Sequence, residues 1–310
     1  MKIPVFIDCD PGIDDAAAIL IANNMPEIEI VGVGTVCGNV EASKTYANCR
    51  KIMKLAGNGA PIYKGAEEPI SRELVTAKYV HQEDGFGGLS SSLDDDTFEG
   101  PEERAWDALY REAEKYKGEL VLIAIGPLTN IGIALAKYKE LPSLLKKIVI
   151  MGGSAAYGNI TPAAEFNIYV DPESAEMVFK CGAPIYMCGL DVTEKAYILL
   201  EEIEKIEHMG TEQAKFFADV LKAAYPFYIE HGFRGNFLHD PCAVMAVAYP
   251  ELFSGKPAGV CVETKARITR GKTVCDYYTD RKFPFENAYV ATGIDREVFI
   301  HKIIELMSKY

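Results

Sequence analysis

The chain has 310 residues, 49% of them hydrophobic and 25% charged, an ordinary balance for a globular protein with a sizeable core. The net charge of −13 argues against a groove for nucleic acid or a binding surface for an anionic membrane. The eight cysteines form no C-x-x-C pair, no apolar run is long enough to cross a membrane, and the first residues enter a strand directly. We therefore expect a cytoplasmic protein with reduced thiols and no signal peptide.

Strands and helices alternate along the first two thirds of the chain. This pattern predicts a single α/β domain with a mostly parallel, Rossmann-like open sheet, helices on both faces and a C-terminal extension. In chain order we predict strand 3–8, helix 14–24, strand 29–36, helix 41–55, strand 61–64, helix 102–116, strand 119–124, helix 128–139, strand 147–151, helix 172–181 and strand 185–189. Helix 212–225, short strands between 256 and 292, and helix 295–310 follow.

One segment interrupts the alternation. Residues 67–100 are polar and rich in glycine, serine and aspartate, and they contain His81. The glycines lack the strand–turn–helix context of a dinucleotide-binding motif. We interpret the segment as a long surface excursion and a candidate lid.

Four carboxylates fall within eight residues at the end of the first predicted strand: Asp8, Asp10, Asp14 and Asp15. Alternation along a strand puts Asp8 and Asp10 on one face, and the other two acids lie in the first turn of the next helix. Like charges at this density raise one another's pKa values unless a cation neutralises them. The run therefore predicts a hard-metal site with oxygen ligands.

Helix capping, an EF-hand loop and a phosphatase motif each account for this acidic run less well. Capping explains Asp14 or Asp15, but it does not explain Asp8 and Asp10. An EF-hand needs a helix before its loop, with Gly at the sixth loop position and Glu at the twelfth, and here a strand comes first. A phosphatase of the haloacid dehalogenase type also starts with a strand and Asp-x-Asp, and that possibility stays open although Pro11 follows.

Four stretches resemble, in order and spacing, the motifs of the inosine–uridine-type nucleoside hydrolases, and the resemblance covers the whole chain. They are the acidic run 8–15, the Gly-Pro-Leu-Thr-Asn turn 126–130, the stretch 151–172 with Met-Gly-Gly and Ala-Glu-Phe-Asn-Ile-Tyr-Val-Asp-Pro, and His239-Asp240. The resemblance implies a Ca²⁺-dependent enzyme that hydrolyses ribonucleosides to free base and ribose. It also implies a homodimer or homotetramer whose other partner is a small-molecule nucleoside.

The resemblance assigns the metal site and the general base. It implies that Asp10, Asp15, Asp240 and the backbone carbonyl of Ile125 bind Ca²⁺, together with the ribose 2′- and 3′-hydroxyls and the attacking water. Asp10 is then the general base that takes a proton from this water. Many relatives have Thr in place of Ile125, and we expect this change to matter little because the ligand is main chain.

The same resemblance assigns the sugar contacts. The ribose side is implied to consist of Asp14 and Asn39 at the 2′-hydroxyl, Asn159, Glu165 and Asn167 at the 5′-hydroxyl, and Met151 packed on the ring. We interpret Asp8 as a carboxylate close to the ligand or directly behind it, rather than as a purely structural residue.

The base side separates the branches of the family. One branch stacks a purine between tryptophans, but the single tryptophan, Trp106, lies in a predicted helix far from every motif and is assigned to the core. The other branch uses a histidine next to the last metal ligand, here His239, as the acid for the departing base. Its presence favours pyrimidine or mixed purine and pyrimidine nucleosides. Further candidates for contact with the base are His81, Tyr225, Tyr228 and His231.

Three rival functions stay open: hydrolysis of another N-ribosyl compound such as a nicotinamide or modified nucleoside, nucleoside binding without turnover, and the phosphatase activity. Asp10 and His239 argue against a binding protein, because binding alone needs neither a base nor an acid.

Overall fold

The computed structural model describes residues 2–94, 100–277, 280 and 282–310. The strands in this part of the chain are β1 (Ile3–Cys9), β2 (Ile28–Thr35), β3 (Ile62–Lys64), β4 (Leu120–Ala124), β5 (Leu145–Met151), β6 (Ile185–Cys188), β7 (Tyr197–Ile198), β8 (Asn236–Phe237), β9 (Phe253–Val262), β10 (Thr273–Asp276) and β11 (Ala288–Ile294).

The helices in the same residues are α1 (Ile13–Asn24), α2 (Ala42–Leu55), α3 (Lys78–His81), α4 (Ala105–Tyr116), α5 (Thr129–Lys137), α6 (Leu141–Leu144), α7 (Phe166–Val170), α8 (Pro172–Phe179), α9 (Leu190–Thr193), α10 (Leu200–Glu207), α11 (Glu212–Glu230), α12 (His239–Ala248) and α13 (Arg296–Met307). Short 3₁₀ turns lie at Ser90–Ser92 and Pro250–Leu252. None of the described helices is long and apolar enough to cross a bilayer.

Nine of the described strands form one sheet in the order β10-β9-β11-β6-β5-β4-β1-β2-β3. Neighbouring strands from β3 to β11 run parallel, and β9 is antiparallel to both β11 and β10. The predicted α/β class with a mostly parallel sheet is thus confirmed. The predicted C-terminal extension contributes strands to this sheet, because β11 pairs with β6 and β9 pairs with β11. Of the predicted strand region 256–292, residues 278, 279 and 281 lie outside the described part.

The central strands are apolar along their whole length because both of their faces are buried, and β1 is an example. Phe6 lies in the hydrophobic core on one face of the sheet, whereas Val5, Ile7 and Cys9 lie in the core on the other face. Residues of α4, α5 and α8 contribute to the core around Phe6, and residues of α1, α11, α12 and α13 contribute to the opposite one. Because helices cover both faces, a polar side chain within β1 needs a partner of its own.

The segment 67–94 is anchored to the body of the protein at Phe86, so its prediction as a surface excursion is wrong there. Phe86 is fully buried and packs edge-on against Phe216, with ring centroids 5.5 Å apart. Gly85 and Gly87 have φ angles of +86° and +67°, which let the chain turn sharply on either side of the buried ring. Residues 95–99 of the predicted excursion lie outside the described part of the chain.

Helix α11 continues to Glu230, beyond the predicted end at residue 225, with Pro226 inside it. A proline inside a helix removes one backbone hydrogen bond. Ring contacts beyond the proline offset that loss: the centroid of Phe227 lies 5.5 Å from that of Tyr228, which lies 5.2 Å from that of Phe237. The helix therefore carries Tyr228 to the edge of the cavity described below.

Candidate active site

A cavity opens at the carboxyl ends of the parallel strands, the edge at which open α/β sheets bind ligands. Most of the residues predicted to contact substrate line it, together with several that the sequence did not single out. The lining consists of Asp14, Asn39, Ala77, Tyr79, Val80, His81, Ile125, Met151, Asn159, Glu165, Phe166, Asn167, Tyr228, His239 and Asp240.

Three carboxylates meet at the cavity. Oxygens of Asp14, Asp15 and Asp240 all lie within 4.8 Å of one another. Burial raises the pKa of Asp14 to about 6 and that of Asp15 to about 7. Burial, followed by the charges of the neighbouring carboxylates, raises the pKa of Asp240 well above its usual range. Such a group is stable when protons or a cation neutralise it.

Asp15 also shapes the turn that brings these acids together. Its Oδ1 accepts a hydrogen bond from the Asp10 N–H (3.1 Å), and its Oδ2 accepts one from the Gly12 N–H (2.9 Å). This carboxylate at the third position of α1 thus reaches back to the residues before the helix. The Asn39 side-chain amide donates to the same Oδ2 (3.1 Å) and to the Asp10 carbonyl (3.1 Å).

Asp10 lies beside this group of three. Its Oδ2 accepts a hydrogen bond from the Asn39 N–H (2.7 Å), and its buried Oδ1 has no hydrogen-bond partner among the described residues. A Cβ atom at Gly126 would lie 2.6 Å from Oδ1, so only glycine leaves room there. An unpartnered buried carboxylate oxygen next to three further acids fits a site for a divalent cation with hard oxygen ligands. The tightest group includes Asp14, which was predicted as a sugar contact, whereas the metal-ligand role of Asp10 stays a prediction.

Ile125 lines the cavity, and its carbonyl oxygen has one hydrogen-bond partner among the described residues. It accepts a hydrogen bond from the Asn167 side-chain amide (3.0 Å), which also donates to the Met151 carbonyl (3.1 Å). A carbonyl oxygen has two lone pairs, so the Ile125 carbonyl keeps one for a further partner. The side-chain amide of Asn167 thus ties the turn after β4 to the end of β5.

Glu165 and Asn159, two of the predicted sugar contacts, organise the segment that closes one side of the cavity. The Glu165 carboxylate accepts hydrogen bonds from the Gly153 N–H (2.9 Å), the Asn167 N–H (2.9 Å) and the Ile168 N–H (3.2 Å). Burial nevertheless raises its pKa to about 7. The Asn159 Oδ1 accepts from the Phe166 N–H (2.9 Å), which leaves its side-chain NH₂ group for a ligand.

Two histidines face the cavity. The Nδ1 of His81 accepts a hydrogen bond from the Ile13 N–H (3.0 Å), and the Nδ1 of His239 lies 2.8 Å from Thr193 Oγ1. Burial lowers the pKa of His239 to about 4, and burial and then the charge of His239 lower that of His81 to about 3. Both imidazoles are neutral at pH 7.

The structure does not bring two of the predicted base contacts to the cavity. The Tyr225 hydroxyl accepts from the Leu200 N–H (3.3 Å) and donates to the Arg234 carbonyl (3.4 Å). His231 is exposed, with its Nδ1 2.7 Å from the Phe227 carbonyl. Tyr228 does line the cavity, and burial raises the pKa of its hydroxyl.

Asp8 lies outside the cavity lining. It shares the sheet face of Phe6, and its Oδ2 accepts a hydrogen bond from the Asn130 side-chain amide (2.8 Å), which also donates to the Thr35 carbonyl (3.0 Å). Its Oδ1 has no partner among the described residues, and burial raises its pKa to about 7. Asp8 therefore links the carboxyl ends of β1 and β2 through the side-chain amide of Asn130.

Several residues at the site escaped the sequence analysis. Tyr79 stands two positions before His81, so the polar segment already pointed to its neighbourhood, and Phe166 lies inside the motif 164–172. Thr193, the partner of His239, belongs to no motif and gave no signal. Trp106 is partly buried against the core on the Phe6 face of the sheet.

Comparisons with known proteins match this geometry. The sequence model of the inosine-uridine preferring nucleoside hydrolases matches residues 5–301. The chain is 42% identical to a pyrimidine-specific ribonucleoside hydrolase, RihA, of Photobacterium profundum over 316 residues, covering 100% of both chains. A purine-preferring ribonucleoside hydrolase from Gardnerella vaginalis has a similar structure, with a TM-score of 0.93, 31% identity and coverage of 99% of this chain and 98% of that one. A plant nucleoside hydrolase also gives a TM-score of 0.93, at 29% identity over 100% of both chains.

Proposed function

Since the chain belongs to the inosine-uridine preferring nucleoside hydrolase family and is an N-ribosyl hydrolase, we propose that it acts on pyrimidine ribonucleosides, releasing free base and ribose. The observation that carries the proposal is that His239 stands beside Asp240 in the same cavity lining as the sugar-side residues. The pyrimidine-specific relatives, which cover the full length of the chain, support the choice of base. The placement of Trp106, partly buried against the core, supports it too, because no tryptophan lines the cavity among the described residues.

We further propose that the acidic group holds Ca²⁺. The donor set supports this: the carboxylates of Asp14, Asp15 and Asp240 converge, and Asp10 Oδ1 lies unpartnered beside them. Ca²⁺ binds six to eight oxygens, so carboxylates, the Ile125 carbonyl and sugar hydroxyls together suit it. When bound, the ion would hold the ribose diol and lower the pKa of the attacking water.

Within this proposal, the residues of the cavity and the acidic turn have separate roles in the reaction. Asp10 takes a proton from the attacking water through its free Oδ1, the position of a general base. Asn159, Glu165 and Asn167 orient the ribose, and the buried Met151 packs against it. His239 donates to the departing base, whose negative charge grows as the glycosidic bond breaks.

We also propose a cytoplasmic location. All eight cysteines are free, and five of them are buried, as in proteins that fold in a reducing compartment. The expected assembly is a homodimer or homotetramer, which the sedimentation coefficient of the purified protein would test.

The deciding experiment measures the release of reducing sugar from uridine, cytidine, inosine, adenosine and nicotinamide riboside, with and without Ca²⁺ after chelation. We expect uridine and cytidine to give the highest kcat/KM, with activity lost in chelator and restored by Ca²⁺. Faster hydrolysis of inosine or nicotinamide riboside would overturn the base assignment. Full activity in chelator would overturn the metal assignment.

A further inference from the structure

His81 is held in a single tautomer by the main chain of the acidic turn. Its Nδ1 lies 3.0 Å from the Ile13 nitrogen, and a backbone N–H can only donate. The Nδ1 must therefore carry the lone pair, and the proton of the neutral ring must sit on Nε2. His81 is 8% exposed, and its ring borders the cavity.

Thr193 sets the tautomer of His239 in the same way. Thr193 is fully buried, its hydroxyl lies 2.8 Å from His239 Nδ1, and the described residues offer that hydroxyl no further side-chain hydrogen bond. If the imidazole donated to the hydroxyl, the hydroxyl hydrogen would be buried without an acceptor, which is unfavourable. The hydroxyl therefore donates to Nδ1, and His239 also carries its proton on Nε2.

We propose that Thr193 is a positioning residue, which together with the Ile13 N–H makes the base subsite a pair of Nε2–H donors from two neutral imidazoles. This inference rests on the proposed function for its chemical meaning. The carbonyl oxygen of a pyrimidine next to its glycosidic nitrogen gains negative charge as the ring leaves. Two fixed N–H donors bind that oxygen more strongly in the transition state than in the substrate.

The tautomers can be measured without turnover. In protein labelled with ¹⁵N in the histidine rings, long-range ¹H–¹⁵N correlation spectra distinguish a protonated nitrogen from one with a lone pair. We expect His81 and His239 both to show a protonated Nε2 and an unprotonated Nδ1. Thr193→Val keeps the shape of the side chain but removes the hydroxyl, so the Nδ1–H tautomer of His239 should appear, whereas the His81 signals serve as an internal control. Thr193→Ser should retain the wild-type spectrum.

Kinetics then connect the tautomer to the reaction. We expect Thr193→Val to lower kcat on uridine about tenfold, with KM nearly constant, because one hydrogen bond to the departing base is lost. On p-nitrophenyl riboside, whose leaving group needs no such donor, the loss should be less than about twofold, and Thr193→Ser should restore turnover of uridine. If Thr193 had a merely structural role, Thr193→Val would lower kcat on both substrates equally.

The outcomes separate the two proposals. A proton on Nδ1 of His239 in the wild type, or a spectrum unchanged by Thr193→Val, would overturn the inference even if uridine is hydrolysed. If no nucleoside is hydrolysed while the spectra are as expected, the proposed function fails and the assignment of the two tautomers stands.

Discussion

Asp15 and Asp240 come from distant parts of the chain, and their carboxylate oxygens lie within 4.8 Å of each other. Asp15 is placed by its hydrogen bonds to the turn before α1, and Asp240 by the first turn of α12. Neither position is set by the other acid, because the two charges repel. The scaffold therefore holds two like charges together, and this arrangement favours a cation.

Removal of divalent cations should lower the melting temperature. Saturation at about 100 times the dissociation constant adds about 2.7 kcal/mol, which corresponds to a shift of the order of 5 °C. Asp240→Asn should abolish the shift on adding Ca²⁺, and its cation-free form should melt above cation-free wild type because one repelling charge is gone. Differential scanning calorimetry in chelator and in Ca²⁺ measures both effects. The exposed Asp94→Asn is the matched control, and equal Ca²⁺ shifts in the Asp240 and Asp94 variants would contradict the assignment.

Asp10→Asn should lower kcat on uridine by about a thousandfold, as expected for loss of a general base, with KM within about threefold of wild type. Steady-state rates give both constants. Asp8→Asn is the matched control, because Asp8 is also a buried acid with one unpartnered oxygen, but its other oxygen accepts from Asn130 and not from the cavity-lining Asn39. We expect it to retain kcat within about threefold. Comparable losses in both variants would remove the base role from Asp10.

Gly12→Ala should damage the site without straining the backbone. The φ angle of Gly12 is −113°, which alanine adopts readily, but a Cβ there would lie 2.5 Å from His81 Nδ1 and 2.7 Å from the Asn39 side-chain nitrogen. Both side chains must move, so we expect a destabilisation of about 1–3 kcal/mol and at least roughly a tenfold loss in kcat/KM. Urea unfolding and uridine kinetics test this, and Gly59→Ala, where a Cβ meets nothing within 4 Å, should leave both values unchanged.

The buried neutral state of His81 should make stability depend on pH. Its pKa is lowered to about 3 in the folded protein by burial and then by the charge of His239. Below the ordinary pKa of about 6.5, the unfolded chain takes up a proton that the folded protein does not. The stability that depends on His81 is therefore complete above a pH of about 6.5 and is lost as the pH falls towards about 3.

Comparison with His81→Asn isolates this effect, because Asn can accept the same Ile13 hydrogen bond but does not titrate. Between pH 7.5 and 5.5, we expect wild type to lose roughly 1 kcal/mol more unfolding free energy than the variant. Urea denaturation at the two pH values gives the difference, and His301→Asn, at an exposed position, serves as the control. Identical losses in wild type and His81→Asn would show that His81 is protonated equally in both states.

The sequence predicted the sheet and the edge at which the cavity forms, because buried strands and the acidic run give strong local patterns. It did not predict the burial of Phe86, since that ring is inserted by glycine conformations and by a partner on α11. Nor did it predict that α11 continues beyond Pro226. A proline signals a helix end only when ring contacts such as those of Tyr228 do not offset the lost hydrogen bond.

The sequence also could not predict which side chains contact one another in the folded chain. Thr193 carries no motif, and its link to His239 exists only because α9 and the start of α12 lie side by side. Whether Asp10 or Asp14 joins Asp15 and Asp240 depends on how the backbone turns at Gly12, which spacing in the sequence cannot resolve. The family resemblance supplied residue types for these positions, and the contacts follow from the folded chain.

The distance in sequence between Asp15 and Asp240 also sets the order in which the two acids appear during synthesis on the ribosome. A nascent chain exposes its acidic turn within the first residues to emerge, yet the partner acid arrives only with α12. Until then the early half carries closely spaced negative charges with an incomplete set of ligands. Under the proposed metal role, binding of a cation would therefore be a late event of synthesis, and any truncation before α12 would leave a chain that cannot complete the site.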